Sequence, residues 1–135
     1  MTKPIPSVSK YMTTTPQTIR VDQTMEVAHD MMRKHRLRHL PVLSAAGLVG
    51  VVSDGDLTRA ESFKGVHPER VRVDDVMSAG AYSVTPDAPL DEVVQEMARH
   101  KYGSAVVVDH GHVVGIFTAV DACQAFADLL RTRLA

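Results

Sequence analysis

The chain states one pattern twice. With Val8 laid on Val73, a fixed offset of 65 residues, Met12 falls on Met77, Asp22 on Asp87, Met32 on Met97, His35 on His100, Val42 on Val107, Gly50 on Gly115 and Asp56 on Asp121, without a gap. The copies run from about Val8 to Leu57 and from about Val73 to Ala122. That period is too long for a solenoid repeat and suits a pair of small modules of mixed helix and strand. A copy of roughly 50 residues buries too little apolar surface to be stable alone, so the two copies are expected to form one folding unit. The expected organisation is an N-terminal extension over 1–7, a first motif over 8–60, a connector over 61–72 holding Gly65, Pro68 and several charges, and a second motif with its C-terminal helix over 73–135.

Periodicity fills in each copy. Ile19 and Val21 alternate with polar neighbours like a short strand, and Met25, Ala28, Met31, Met32 and His35 then recur at helical spacing. Val84, followed by Leu90, Val93, Val94 and Met97, repeats this, with Pro89 expected in the first helical turn. Next come paired apolar runs around tight turns: Leu40 to Leu43 and Leu48 to Val52 flank Ser44-Ala45-Ala46-Gly47, and Ala105 to Val108 and Val113 to Phe117 flank Asp109-His110-Gly111-His112. Both read as hairpins. A helix follows each hairpin. The second carries Ala122, Ala125, Phe126, Leu129 and Leu130 on one face, which either meets a second copy of the chain or packs on the chain's own core. The fold class is therefore α/β of the α+β kind, a tandem pair of βαββα units.

Composition narrows the function. A net charge of −1 gives no general pull toward nucleic acid or membrane. No stretch approaches the roughly 20 apolar residues of a spanning helix, and the N-terminus lacks an apolar run of signal length, so a cytoplasmic protein is expected. The single cysteine, Cys123, lies among Ala122, Ala125 and Phe126 and reads as a buried thiol with no disulfide partner. No His and acid pair stands at a recognisable position to activate it, and no glycine-rich phosphate loop occurs, so the chain is not expected to be an enzyme. His110 and His112 beside Asp109 read as an exposed polar turn in preference to a metal site. The run Arg33 to His39 suits a helix C-terminus, and with Trp absent and Tyr11, Tyr82 and Tyr102 scattered, a nucleic-acid partner is disfavoured.

Each copy closes on a phrase of Gly, an apolar residue, any residue, Ser or Thr, two residues and Asp: Gly50 to Asp56 with Ser53, and Gly115 to Asp121 with Thr118. An ionised carboxylate is an acceptor with two oxygens and can take both hydroxyl protons of a ribose cis-diol, which makes Asp56 and Asp121 candidates for a sugar contact. Ser53 and Thr118, where a strand turns into a helix, offer hydroxyls and free amides to a phosphate. The same spacing is a capping box, which a helix start after a hairpin would want without any ligand. The two roles are compatible.

These units, through Met12-Thr13 with the run His39 to Leu57 and Met77-Ser78 with the run Ser104 to Ala122, resemble the CBS domain pair, or Bateman module, over almost the whole chain. The resemblance implies two copies packed through their sheets with pseudo-twofold symmetry, two clefts, and homodimers. It also implies an adenosine-containing regulatory ligand (AMP, ADP or ATP), an energy-sensing role signalled by a change in dimer geometry, and no required cofactor. Carried onto this chain, the ligand-binding positions are Thr18, Ile19, His39, Leu40, Pro41, Ser53 and Asp56 in the first cleft, and Ser83, Val84, Ser104, Ala105, Thr118 and Asp121 in the second. Many relatives place Arg or Ser directly before the aspartate, whereas this chain has Gly55 and Val120, so phosphate contacts are expected from Arg38, Arg59 and Lys101. The competing reading is an interaction or scaffold module without a small ligand, docking on a separately encoded enzyme or transporter.

Overall fold

The computed structural model describes residues 4–133; residues 1–3 of the expected N-terminal extension and 134–135 at the end of the second motif lie outside the described residues. The elements in chain order are β1 (Thr13–Thr14), β2 (Ile19–Arg20), α1 (Met25–His35), β3 (His39–Ser44), β4 (Gly47–Ser53), α2 (Asp54–Glu61), β5 (Ser78–Ala79), β6 (Ser83–Val84), α3 (Leu90–His100), β7 (Ser104–Asp109), β8 (His112–Thr118) and α4 (Ala119–Arg133). The mixed α+β class and both hairpins read from the sequence are present. Pro89 lies one position earlier than expected: it caps α3 in extended backbone (φ −62, ψ 132) and the helix begins at Leu90.

The chain divides into two compact units, Pro16–Ala81 and Met1–Thr15 with Tyr82–Ala135. Their boundaries are offset from the sequence repeat, because the lead-in of each copy completes the other copy's sheet. One sheet has the order β2-β3-β4-β5 and the other β1-β8-β7-β6. Val8, within a single 3-10 turn, donates its amide to Ala88 O at 2.9 Å, and Val73, in the matched turn, donates to Gln23 O at 2.7 Å. Leu90 N donates to Pro6 O and Met25 N to Val71 O, both at 2.9 Å, so each long helix starts from a carbonyl of the other copy's lead-in. Val8 and Val73 are fully buried. Two-residue strands carry no periodicity, which is why β1 and β5 escape a reading of the sequence.

Gly50 and Gly115 are the positions that admit these edge strands. Gly50 pairs with Val42 on one side and Ala79 on the other, and Gly115 pairs with Val107 and Thr14. A Cβ at Gly50 would stand 2.5 Å from Ser78 O and 2.8 Å from Met77 Sδ; at Gly115 it would stand 2.5 Å from Met12 Sδ and 3.1 Å from Thr13 O. The matched Gly and Met pairs of the repeat are thus a space requirement.

Two hydrophobic cores follow. Ile19, Met25, Ala28, Met32, Leu40, Val42, Val52, Leu57 and Val73 form one, and Val8, Leu90, Val93, Met97, Ala105, Val107, Phe117 and Ala125 the other. On α4 only Ala125 is fully in the core; Phe126, Leu129 and Leu130 are exposed at 66%, 39% and 41%. Cys123 is exposed as well, contrary to the sequence expectation, because it lies on the helix face turned from Ala125. No helix among the described residues is long and apolar enough to cross a membrane.

Gly50→Ala should cost about 1–3 kcal/mol, since its methyl meets a backbone carbonyl that cannot withdraw without releasing β5. Gly115→Ala should cost less, since the thioether of Met12 can swing aside. Urea unfolding of the two variants checks the order, and the reverse ranking would count against this role for the pair.

Candidate functional site

Strand directions gather the expected residues of each copy at one end of a sheet. In the first unit β2 runs parallel to β3, with Ile19 opposite Val42, and β4 runs antiparallel, with His39 opposite Ser53 and Leu40 opposite Val52. Thr18, His39 and Ser53 therefore lie at the same sheet end, where α2 starts. Ile19 and Leu40 send their side chains into the core and Pro41 is buried, so the first two can offer a ligand only main-chain groups. In the second unit Ser83 pairs with Val106, Ser104 with Thr118 and Ala105 with Phe117. Ala105 is core, Ser104 is buried, and Ser83 is exposed. The turn into the last helix is fixed equivalently in both, by Asp54 N donating to Arg38 O at 2.8 Å and Ala119 N to Gly103 O at 3.1 Å.

Both hydroxyl and carboxylate phrases form their reciprocal caps. Ser53 N donates to Asp56 Oδ2 at 2.9 Å and Asp56 N to Ser53 Oγ at 3.0 Å. Thr118 N donates to Asp121 Oδ2 at 2.9 Å and Asp121 N to Thr118 Oγ1 at 3.3 Å. Each acid thus satisfies an orphan amide at a helix start. What remains of the two carboxylates differs. Asp56 Oδ1 accepts from Arg59 Nη2 at 2.7 Å, and its side chain is only 10% exposed. Among the described residues, Asp121 Oδ1 accepts only from the Thr13 hydroxyl, at 3.5 Å. Asp121 keeps an acceptor oxygen for a further partner, while Asp56 must first release an arginine. Thr13 was not foreseen, although its repeat partner Ser78, also a hydroxyl, was the available signal.

The three expected phosphate contacts separate. Arg59 is committed to Asp56, Lys101 caps the end of α3 in left-handed backbone (φ 59), and Arg38 lines a cleft of about 480 Å³ together with His29, Met32, Arg33, Arg36, Leu37 and Asp54. A second unforeseen feature flanks β6 and β7: the Tyr82 and Tyr102 rings stack at 5.2 Å, and His100 stacks on Tyr102 at 5.1 Å. Among the described residues no group of three or more His, Cys, Asp or Glu comes together to hold a metal ion.

Burial pushes the His39 imidazole below the ordinary histidine range; Arg38 adds to the effect, and Asp56 and Asp54 oppose it. The folded state therefore resists protonation at His39. Below a pH of about 6.5 the unfolded chain takes up a proton that the native His39 does not, so stability falls as the pH drops from there. His39→Gln should flatten the dependence of Tm on pH in that window, and an unaltered profile would reassign it. Separately, Asp56→Ala should cost about 1 kcal/mol through loss of the cap, read as a lower midpoint in urea with unchanged slope.

Sequence and structure comparisons agree on one group of proteins. A family described as the CBS domain matches residues 1–62 and 73–128. The CBS domain-containing protein YhcV of Bacillus subtilis (strain 168) is 32% identical over 118 residues, covering 85% of this chain and 81% of its own. AcuB from Vibrio cholerae superposes with a TM-score of 0.83 at 30% identity, over 96% of each chain. The CBS domain pair of protein MJ0100, solved in complex with 5′-methylthioadenosine and S-adenosyl-L-methionine, has a TM-score of 0.83 at 25% identity, over 93% of this chain and 98% of that one. Homoserine O-acetyltransferase of Methanococcoides burtonii is 32% identical over 117 residues, but this chain spans only 23% of that enzyme.

Proposed function

The chain belongs to the CBS domain family, and on that premise we propose that it is a regulatory module of the cytoplasm that takes up an adenosine-containing ligand. An adenine nucleotide (AMP, ADP or ATP) or a related adenosyl compound is the ligand class. Support comes from the carboxylate at each helix start and from MJ0100, whose two ligands share an adenosyl group. The observation that carries the reading is Asp121 Oδ1, which among the described residues accepts only a long bond of 3.5 Å from Thr13, beside the Thr118 hydroxyl and the strand entries at Ser83 and Ser104. A diol takes an acceptor-only group with little rearrangement there, whereas at Asp56 it must compete with Arg59. The second copy is therefore the stronger site, and its sugar contact is Asp121. In the first, Ser53 and His39 lie beside a carboxylate that a ligand can use only by displacing Arg59, with Thr18 at the same sheet end.

Signalling requires that the ligand bind two arrangements of the protein unequally. A homodimer joined through the exposed apolar residues of α4, Phe126, Leu129 and Leu130, would supply such arrangements. The same exposed face favours the second reading, a module that docks on a separately encoded protein and holds no small ligand.

Thermal shift with AMP, ADP, ATP and S-adenosylmethionine separates the two readings, because a ligand of the native state raises Tm by mass action. A rise is expected with at least one of them, and none at millimolar concentration would favour the docking module. Calorimetric titration of Asp121→Ala should show binding at the second copy abolished at a stability cost of about 1 kcal/mol. Asp56→Ala should leave that binding in place. Unchanged affinity in Asp121→Ala would retire the sugar contact.

A further inference from the structure

We propose that the lead-in ending at Thr15 is exchangeable, so that two copies of this chain complete each other's second unit across a hinge at Thr15-Pro16. The first unit is one continuous stretch, Pro16–Ala81, but the second is assembled from Met1–Thr15 and Tyr82–Ala135. One peptide link, between Thr15 and Pro16, joins the lead-in to the first unit. The bonds that seat it are made to the later stretch. Val8 N donates to Ala88 O at 2.9 Å and Ser9 N to Pro86 O at 3.1 Å, and Thr13 and Thr14 pair with Ile116 and Gly115. Tyr11 donates its hydroxyl to Asp128, and Thr13 reaches Asp121, both on α4. None of these bonds requires that the two stretches belong to one molecule, since a second copy offers the same groups.

The hinge is what favours a second copy. Thr15 holds left-handed backbone at φ 46, where its repeat partner is Gly80, at φ 69. Glycine adopts that conformation freely, whereas for a β-branched residue it is an outlier. A residue that precedes proline is also driven toward extended backbone, and Pro16 follows Thr15 where Ala81 follows Gly80. The turn is held less well, too: Gly80 N donates to Val49 O at 3.0 Å, and among the described residues Thr15 N makes no matching bond to Val114 O. Crowding does not explain the glycine, because a Cβ at Gly80 would meet nothing within 4 Å. Straightening the hinge so that the lead-in crosses to another copy removes the left-handed threonine and keeps the bonds of the seated lead-in. An exchanged dimer holds two such hinges, so the relief counts twice, and a short hinge under strain is the setting in which exchange competes with self-completion. In that dimer each Asp121 would meet Thr13 of the other copy.

The exchange needs no ligand and stands or falls apart from the sugar contact at Asp121. It is tested on the full chain carrying Cys123→Ser, with Tyr11→Cys in one preparation and Asp128→Cys in another. The two are unfolded, mixed at high concentration, refolded and oxidised with glutathione disulfide. A disulfide joining one chain of each kind is expected, identified by mass, because a dimer joined through any other surface keeps each lead-in on its own α4. Thr15→Gly in both preparations should lower its yield about tenfold or more, since glycine removes the strain that exchange relieves. No mixed disulfide, or a yield that Thr15→Gly leaves unchanged, overturns the proposal. A second measurement needs no engineered thiol. After concentrated refolding of the unaltered chain, gel filtration with light scattering should find a dimer fraction that persists on dilution, because undoing the exchange requires unseating Val8 and β1. The absence of any persisting fraction also overturns the proposal.

Discussion

Each half of this protein is finished by residues that precede the other half in sequence. Val8 and Val73 are fully buried, and their amides bond Ala88 and Gln23, positions that are themselves related by the repeat. The two-residue strands that follow then zip onto β8 and β4 at Gly115 and Gly50. A single copy would lack the hydrogen-bonded edge of its sheet, the first acceptor of its long helix and a valine from its core. Such gaps cost several buried groups at once, and a module of roughly 50 residues has little stability to spare. Duplication here is a structural requirement as well as a trace of origin.

That reciprocity also brings chemistry to the helix starts. The lead-in that ends in β1 carries Thr13, whose hydroxyl reaches Asp121, while the equivalent lead-in brings Ser78 to the first unit, where Arg59 takes the corresponding acid instead. Capping and the proposed ligand contact are then two uses of one carboxylate. Oδ2 is consumed by the main chain in both copies, and the difference between the sites lies in what holds Oδ1. A cap fixes the position of the remaining oxygen before any ligand arrives, so little ordering entropy is left to oppose binding.

Much of this was legible in the sequence, and what was missed has a physical pattern. The hairpins and helices announced themselves because apolar period and length are strong signals over ten residues or more. The capping phrase was legible as geometry, but its share between helix and ligand was not, since both uses need the same spacing. β1, β5 and the lead-in turns were invisible because two or three residues carry no period; only the matched Met and Gly pairs hinted at them. Cys123 was misplaced because its apolar neighbours straddle two faces of α4: Ala125 is buried and Phe126 is exposed. The tyrosine stack needed the fold, since Tyr82 and Tyr102 are 20 residues apart in sequence (102 − 82) and meet only where β6 lies along β7.

Where the copies differ is as informative as where they agree. Positions that set the backbone coincide: Val8 with Val73, Gly50 with Gly115, Asp56 with Asp121, and basic residues in left-handed backbone at Arg36 and Lys101. Positions around the sheet end diverge, with Leu37, Arg38 and His39 in one copy against Tyr102, Gly103 and Ser104 in the other. A substitution at the exposed pair Arg38 and Gly103 leaves the lead-in, the core and the cap side chains untouched, so it changes what the surface attracts at little cost to folding. One unit has gathered arginines and a partly buried imidazole whose burial disfavours protonation; its counterpart has gathered stacked rings and a carboxylate whose second oxygen accepts only a long bond among the described residues. Two sheet ends of unlike chemistry thus stand on one repeated scaffold, without any change to the framework that positions them.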